Sequence, residues 1–175
     1  MTFFTLLQLL SSELERCVDG DSQTNANGTG SAKLSAVTRR VLPGLRQYSS
    51  WLISNAPILA AGVGDIALNV QFKELWKIYA NALTLLISTF PVSGLPLPIE
   101  YLLEEDEDTL GFKPLDNEHA QRRYYTGTTG FRKPKWHDQG VHRQHPNIEM
   151  LGRVRDIIIE GMVLQSREVS IEGRL

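Results

Sequence analysis

Cysteine is almost absent from this 175-residue chain, which has one thiol, Cys17. A single cysteine excludes an internal disulfide and is typical of proteins in a reducing compartment. The chain also lacks a large excess of charge of one sign, because its formal net charge is −2. No attraction of the whole chain to nucleic acid is therefore expected. The longest apolar segment is interrupted by Lys77, Asn81, Thr84 and Ser88 and is too polar to cross a membrane. These absences predict an intracellular protein.

Motifs for catalysis and metal binding are also lacking. No serine lies in a Gly-x-Ser-x-Gly elbow, and no Lys-Ser/Thr pair follows Gly127–Gly130 as a P-loop requires. The spacing of His137, His142 and His145 matches no zinc pattern. The acidic run Glu104–Asp108 lacks the turn glycine of a calcium loop. We therefore expect no enzyme activity, no cofactor and no metal site; a hydrolase using the three histidines stays a hypothesis for metal analysis to test.

Apolar residues recur at helical spacing along most of the chain, and this pattern predicts an all-α fold. Apolar spacing predicts a first helix over residues 2–17, followed by a mobile polar loop over about 19–31. The clearest stripe predicts a helix that Asp65 caps and Pro91 stops. Its members are Phe72, Leu75, Trp76, Tyr79, Leu83, Leu86 and Phe90.

Between these two helices, a further stripe predicts a helix from near Ala32 to Asn55. Pro43 predicts a kink or break near Arg39–Leu42, and Pro57 predicts the end of the helix. This helix and the next one are expected to form an antiparallel hairpin whose facing stripes bury most of the core. The expected architecture is a single α-helical domain over 1–175, a helical hairpin bundle with a long irregular region before its last helix.

That irregular region covers about 91–146 and is first acidic, then basic. In its acidic part we expect Leu110, Phe112 and Leu115 to contact the core while the carboxylates of Glu104–Asp108 face solvent, start a helix or face the basic part. A last helix is predicted over about 147–165. Its glycines, Gly152 and Gly161, either weaken it or mark close approach of another helix backbone.

Three blocks in a fixed order carry a family resemblance. They are RRVLPGLRQYSSWLISN (Arg39–Asn55), FKELWKIYANALTLL (Phe72–Leu86) and LPLPIEYLLEEDEDTLGFKPL (Leu95–Leu115). With the Arg- and Ile-rich helix at Leu151–Ile159, they resemble the later part of the DNA/RNA-binding domain of the ever-shorter-telomeres type. That family includes telomerase-associated proteins and adaptors of nonsense-mediated mRNA decay. The sequence EEDEDTLGF, Glu104–Phe112, is most similar to that of filamentous-fungal members.

The resemblance extends from about Phe3 to about Leu164 and implies a non-catalytic adaptor module of mRNA decay or telomere maintenance. It implies RNA-decay or telomerase-associated proteins as partners, no membrane, and a location in the nucleus, the cytoplasm or both. We expect only the C-terminal part of the domain here. The family's fourteen-three-three-like phosphopeptide-binding domain has no room in the chain, and the acidic site of its PilT-type nuclease has no counterpart.

The basic part of the irregular region is the candidate nucleic-acid site. Cationic side chains neutralise phosphates and aromatic faces stack on unpaired bases, so their interleaving suits single-stranded RNA or DNA. The candidates are Arg122, Arg123, Tyr124, Tyr125, Arg132, Lys133, Lys135 and Trp136. Two alternatives stay open. The aromatic residues hold a long loop to the bundle while its charges are solvated, or the whole chain is a protein-interaction scaffold without nucleic-acid affinity.

Overall fold

The computed structural model of the chain describes residues 3–21, 33–60, 66–115, 125–126, 130–131 and 142–172. Helices dominate these ranges, and the predicted all-α class is confirmed. The helices are α1 (Phe3–Asp21), α2 (Ala36–Ala60), α3 (Ile66–Thr89), α4 (Glu104–Asp108) and α5 (Pro146–Glu172). The described ranges also contain 3-10 turns at Val92–Gly94 and Lys113–Leu115, and a short ladder of β1 (Tyr125–Thr126) and β2 (Gly130–Phe131).

α1 is an amphipathic helix whose apolar stripe faces the core. Leu7, Leu10 and Leu14 are almost fully buried, as their three- and four-residue spacing predicts. The helix continues beyond residue 17 to Asp21. Residues 19–21 therefore belong to the helix and not to the predicted mobile loop, whose other residues lie outside the described ranges.

α2 is longer at its C-terminal end than its prolines predict. It begins at Ala36, not near Ala32, because the Ser35 hydroxyl accepts the backbone N–H of Thr38 at 3.1 Å and caps the helix. The helix is unbroken at Pro43 and continues through Pro57 to Ala60. The predicted break and the predicted end at Asn55 are both wrong.

After Pro57, the contact with the core that favours a continued helix is made by Leu59. A proline inside a helix costs about 3 kcal/mol. Leu59 is half-buried and packs against the core, whereas Ile58 is 69% exposed. A helix that ended at Asn55 would not place Leu59 in this position.

α3 follows its predicted pattern most closely. Tyr79, Leu86 and the following Phe90 are buried, and the other members of the stripe are half-buried. Lys73 and Lys77 are exposed on the other side. The helix ends two residues before Pro91, as predicted; the proposed cap at residue 65 lies outside the described ranges.

The four long helices pack in a closed ring. α1 packs on α2 and α3, and α5 packs on the same two helices from the other side. α2 and α3 approach each other less closely than these pairs do, but they are in contact where the Tyr79 hydroxyl donates to that of Ser49 at 3.1 Å. Most of the burial of their apolar stripes therefore comes from α1 and α5, and less of it from each other than predicted. Phe3 of α1 lies between α2 and α3, with its ring 4.9 Å from that of Tyr48 and 5.9 Å from that of Tyr79. The two helices lie across the bundle from each other because α1 and α5 cover their apolar stripes.

Contacts along the α2–α5 seam define its direction. Arg39 donates to the side-chain oxygen of Asn147, and Arg46 donates to the carboxylate of Asp156, both at 2.7 Å. α2 and α5 therefore run parallel, with their N-terminal ends side by side. This is the end of the bundle at which the chain enters α5 after residues 116–141.

The stretch Leu95–Leu115 lies against the same seam, but only its middle, Tyr101–Asp106 without Glu104, is buried. Its most buried residues are Tyr101, Leu102 and Leu103. Leu110 is 50% exposed and Phe112 is 54% exposed, so the predicted core contacts of these two residues are wrong, while Leu115 is half-buried. Gly111 separates the two exposed side chains and has a φ of 77°, a left-handed conformation that favours glycine.

α5 has glycine where side chains of its neighbours come closest. A Cβ atom at Gly161 would overlap the side chain of Leu83 in α3, and one at Gly152 would lie 2.9 Å from Cγ1 of Ile99. Both glycines thus make room for a neighbour, but the predicted close approach of another helix backbone is not what the structure shows. The approaching atoms are side-chain atoms, not backbone.

Candidate nucleic-acid interface

A buried cluster of opposite charges holds the stretch Leu95–Leu115, called the acidic stretch below, against the helices. Arg46 of α2 is 3% exposed. Its Nη1 donates to Asp106 at 2.7 Å and to Glu105 at 3.0 Å, and its Nε donates to Asp156 at 2.7 Å. A charge this deeply buried is tolerated only when it is paired and hydrogen-bonded. Three carboxylates meet that requirement here.

Arg153 of α5 binds the carboxylate of Glu105 from the side opposite to Arg46. Its Nε donates to Oε1 of Glu105 at 2.9 Å, and its Nη2 donates to Oε2 at 2.7 Å. This two-pronged geometry is the strongest form of an arginine–carboxylate contact. Glu105 is therefore held between α2 and α5, with Arg46 on one side and Arg153 on the other.

Asp106 also stabilises the N-terminus of α4. Its Oδ2 accepts the backbone N–H of Leu103 at 3.3 Å at the N-terminus of the helix. Gln47 donates to the Glu105 carbonyl at 2.9 Å and to Asp106 at 3.3 Å. The prediction that the acidic run starts a helix is confirmed. The prediction that its carboxylates face solvent holds for Glu104 and Asp108, but it is wrong for the buried Glu105 and Asp106.

The electrostatics of the cluster favour the charged form of Arg46. Burial alone would lower the pKa of its guanidinium group, but the carboxylates of Asp106, Asp156 and Glu105 raise that pKa well above its ordinary value. The cluster is close to balanced in charge, since Arg155 also lies 3.7 Å from Asp156. It therefore acts as a permanent ionic contact between the acidic stretch and the bundle.

Tyr101 makes a second tie, from the acidic stretch to the start of α5. Its hydroxyl donates to Glu149 at 2.7 Å and accepts the backbone N–H of Gln144 at 2.9 Å. Burial, together with the hydrogen bond to Glu149, raises the pKa of Tyr101 to about 12. The chain is thus fixed on both sides of residues 116–141.

Sequence reasoning missed this cluster, although a signal for it exists. Arg46 lies four residues after Leu42 and seven before Ile53, which are both fully buried, so it occupies the apolar face of α2. Arg153 likewise lies among the buried residues of α5. An arginine on an apolar helical face needs a carboxylate partner, and the nearby acidic run was available to supply one.

Most of the candidate nucleic-acid residues lie outside the described ranges. They are Arg122, Arg123, Tyr124, Arg132, Lys133, Lys135 and Trp136. For Tyr125 the structure describes the backbone alone, as part of β1. β1 pairs with β2 antiparallel, with Tyr125 opposite Phe131 and Thr126 opposite Gly130. The chain thus reverses direction inside the predicted basic and aromatic region.

Exposed basic side chains lie where the chain enters α5. Arg143, His142 and His145 are exposed there. Arg40 is exposed in the first turns of α2, and the parallel packing brings these turns to the same end of the bundle. Among the described residues this end is therefore a cationic surface, continuous in sequence with the candidate site.

The described residues contain no group of three His, Cys, Asp or Glu side chains that could hold a metal ion. His119 and His137 lie outside the described ranges. Cys17 is half-buried, with its sulfur 3.8 Å from the Lys33 carbonyl. In the same part of the chain, every helix is too short or too polar to span a bilayer.

Comparison with known proteins identifies the family. No curated protein and no solved structure gives a significant match to the chain. A family model, described as the Est1 DNA/RNA binding domain, matches residues 1–119. The match includes α1 to α4 and two of the three arginine-binding carboxylates, Glu105 and Asp106, and it ends inside the segment before α5. It covers well over half of the sequence, so the chain belongs to the Est1 DNA/RNA binding domain family.

Proposed function

We propose that the protein is a non-catalytic adaptor module that binds single-stranded RNA or DNA through residues 122–136 and binds partner proteins through its helices. The observation that carries the proposal is membership of a DNA/RNA-binding domain family. Its setting would be nonsense-mediated mRNA decay or telomere maintenance, in the nucleus, the cytoplasm or both. Its partners would be RNA-decay or telomerase-associated proteins, and its source a filamentous fungus.

The fixed ends of residues 116–141 support this role. The Lys113–Leu115 turn packs on α2, and Tyr101 binds Gln144 just before α5. A binding segment with anchored ends loses less conformational freedom on binding than a free one. The buried charge cluster supports this anchorage, since it holds Glu105 and Asp106 against α2 and α5.

The chemistry of the segment matches a single strand better than a duplex. Arg122, Arg123, Lys133 and Lys135 are suited to phosphate contacts, and Tyr124, Tyr125 and Trp136 are suited to stacking on unpaired bases. The exposed Arg40 and Arg143 extend the positive surface at the same end of the bundle. Each stacked base contributes about 1–3 kcal/mol in such sites.

The scaffold alternative is weakened by one finding. It requires the acidic run to neutralise the basic segment, but Glu105 and Asp106 are already bound to Arg46 and Arg153. Only the other carboxylates of the run remain for such pairing. The acidic run therefore has fewer carboxylates left to neutralise the basic segment than its sequence suggests.

The test is a titration of the purified chain with single-stranded RNA and single-stranded DNA at several salt concentrations. We expect the logarithm of the binding constant to fall with the logarithm of salt, by about 0.7 per phosphate contact. The combined change Arg122→Ala, Arg123→Ala, Lys133→Ala and Lys135→Ala should reduce both the affinity and this slope.

A matched control removes the same kind of charge elsewhere. Arg122→Ala with Arg123→Ala should weaken binding, whereas Lys73→Ala with Lys77→Ala on α3 should leave it nearly unchanged. The proposal fails if the chain does not bind at low salt, or if the two double variants weaken binding equally. Equal loss would indicate a diffuse charge effect.

A further inference from the structure

An open cavity lies between α3 and α5, on the side of the bundle away from the charge cluster. Its volume is about 310 Å³, at the lower end of the range for ligand-sized sites, about 300–1,000 Å³. One wall is formed by Trp76, Leu83 and Ile87 of α3. The opposite wall is formed by Ile158 and Met162 of α5.

Among the described residues, the lining of this groove carries no charged side chain. It consists of Trp76, Tyr79, Ala80, Leu83, Thr84, Ile87, Ile158, Gly161, Met162, Leu164 and Gln165. Ile87 is 39% exposed and Met162 is 47% exposed, so apolar atoms from both helices reach solvent. Gly161 has no side chain to fill the space beside Leu83. These lining residues offer a polyanion no cationic group to bind, which argues against nucleic acid as the occupant of the groove.

The described charges beside the groove on α3 are positive. Lys73 and Lys77 are exposed, and helical spacing places them next to Ala80 and Thr84, which line the groove. Glu74 is turned away from that face by its position on the helix. An uncharged floor with lysines along one edge is complementary to an apolar surface with acidic residues beside it.

We propose that the α3–α5 groove binds an amphipathic helix of a partner protein, with apolar side chains seated on Trp76 and Met162 and acidic side chains facing Lys73 and Lys77. Two adjacent helices with an apolar channel between them are a common receptor for such a helix. A second copy of this chain fits less well, because a symmetric contact would bring the lysines of both copies together. This interaction does not depend on the proposed nucleic-acid binding, and it uses the side of α5 that faces away from the charge cluster.

The experiment uses the full chain and two designed helical peptides of about 18 residues with the same leucines at i, i+4, i+7 and i+11. One peptide has glutamates beside the leucines, and the other has lysines at those positions. Binding is measured by peptide fluorescence anisotropy, and a change in tryptophan emission that the Trp76→Phe variant does not show reports entry into the groove. We expect the glutamate peptide to bind at least about tenfold more tightly than the lysine peptide, by charge complementarity.

Two variants in the groove and one control variant outside it locate the binding. Met162→Glu places a charge in the groove and should weaken the glutamate peptide at least about tenfold, whereas Ile58→Glu, at an aliphatic side chain on α2 that is 69% exposed, should not. Lys73→Glu with Lys77→Glu should reverse the preference between the peptides. Circular dichroism confirms that each variant is folded.

Three results would overturn the proposal. The first is equal binding of both peptides, which indicates non-specific apolar contact. The second is no binding of either peptide. The third is self-association of the chain that Met162→Glu abolishes, which would make a second copy the occupant.

Discussion

α5 takes part in two seams of opposite character. Toward α2 it presents Arg153, and the chain's own Glu105 fills the seam with a buried ionic contact. Toward α3 it presents Gly161 and Met162, and the seam stays open, uncharged and partly exposed to solvent. One helix thus carries both a closed contact within the chain and an open surface.

The difference shows how charge decides whether a seam must be covered. Two arginines on facing helices cannot be left buried and unpaired, because each would lose several kcal/mol of solvation. The acidic stretch supplies the missing carboxylates and is held in place by doing so. At the α3 seam the lysines remain at the edge, in water, and nothing within the described ranges is needed to neutralise them.

The largest effect is expected from breaking the closed seam. Arg46→Leu would leave Glu105, Asp106 and Asp156 without their shared cation in a buried site, at a cost of about 3–5 kcal/mol. Urea unfolding measures the loss. The matched change Arg155→Leu removes a half-buried arginine that is 3.7 Å from Asp156, and it should cost less than about 1 kcal/mol. Similar costs for the two variants would contradict the difference between buried and peripheral charge.

The next effect tests the second tie of the acidic stretch. Tyr101→Phe removes the hydroxyl that donates to the buried Glu149 and accepts from Gln144. We expect a loss of about 2 kcal/mol in the free energy of unfolding, since hydrogen bonds to charged groups contribute about 1.5–3 kcal/mol. Tyr48→Phe, at a half-buried tyrosine of α2, is the control. The tie is unimportant if Tyr101→Phe unfolds like the parent chain.

Alkaline pH tests the same hydroxyl in a different way. The pKa of Tyr101 is about 12 in the folded chain and about 10 in an unfolded one. The stability from this shift is fully present below pH 10 and is lost as the pH rises through about 12, because the unfolded chain loses the proton first. The parent chain should therefore lose stability more steeply between pH 10 and 12 than Tyr101→Phe.

A smaller effect is expected at the open seam. Gly161→Ala places a methyl group against Leu83, and such overpacking costs about 1–3 kcal/mol. Higher helix propensity returns about 1 kcal/mol, so a net loss of about 1 kcal/mol is expected. Gly94→Ala, with nothing within 4 Å of its added Cβ, should be neutral. A stabilised Gly161→Ala would show that the groove has room to close around the methyl group.

The smallest effect separates the two halves of the acidic stretch. Phe112 is 54% exposed, so Phe112→Ser should change the free energy of unfolding by less than about 0.5 kcal/mol. Leu102 is fully buried, and Leu102→Ser should cost several-fold more. Thermal unfolding distinguishes the two, and a large loss at Phe112 would restore its predicted core contact.

What the sequence predicted correctly was local. The stripes of α1 and α3 follow from a 3.6-residue period, and a helix start at the acidic run follows from charge near a helix N-terminus. The predicted end of α2 failed because the packing of Leu59, beyond Pro57, is a tertiary effect. The facing stripes of α2 and α3 contact each other less than predicted because α1 and α5 cover most of their apolar faces.

The candidate site shows the same limit. A run of five carboxylates looks solvated in isolation, and its partners Arg46 and Arg153 lie 59 and 48 residues away from Glu105. No local pattern reveals such a pairing. The arginines on apolar helical faces were the available sign, and reading them requires asking which acidic residues could reach them. The basic candidates, Arg122–Tyr125 and Arg132–Trp136, remain predictions.

A double-mutant cycle on Glu105 and Arg153 tests most directly whether the acidic stretch is held by its buried ion pairs. Each single change to leucine leaves an unpaired partner, so each should be costly, whereas the double variant removes both charges of the pair. We predict that the double variant loses at least about 1.5 kcal/mol less stability than the sum of the single variants. Additivity within about 0.5 kcal/mol would contradict the account, because it would mean that the two side chains do not depend on each other.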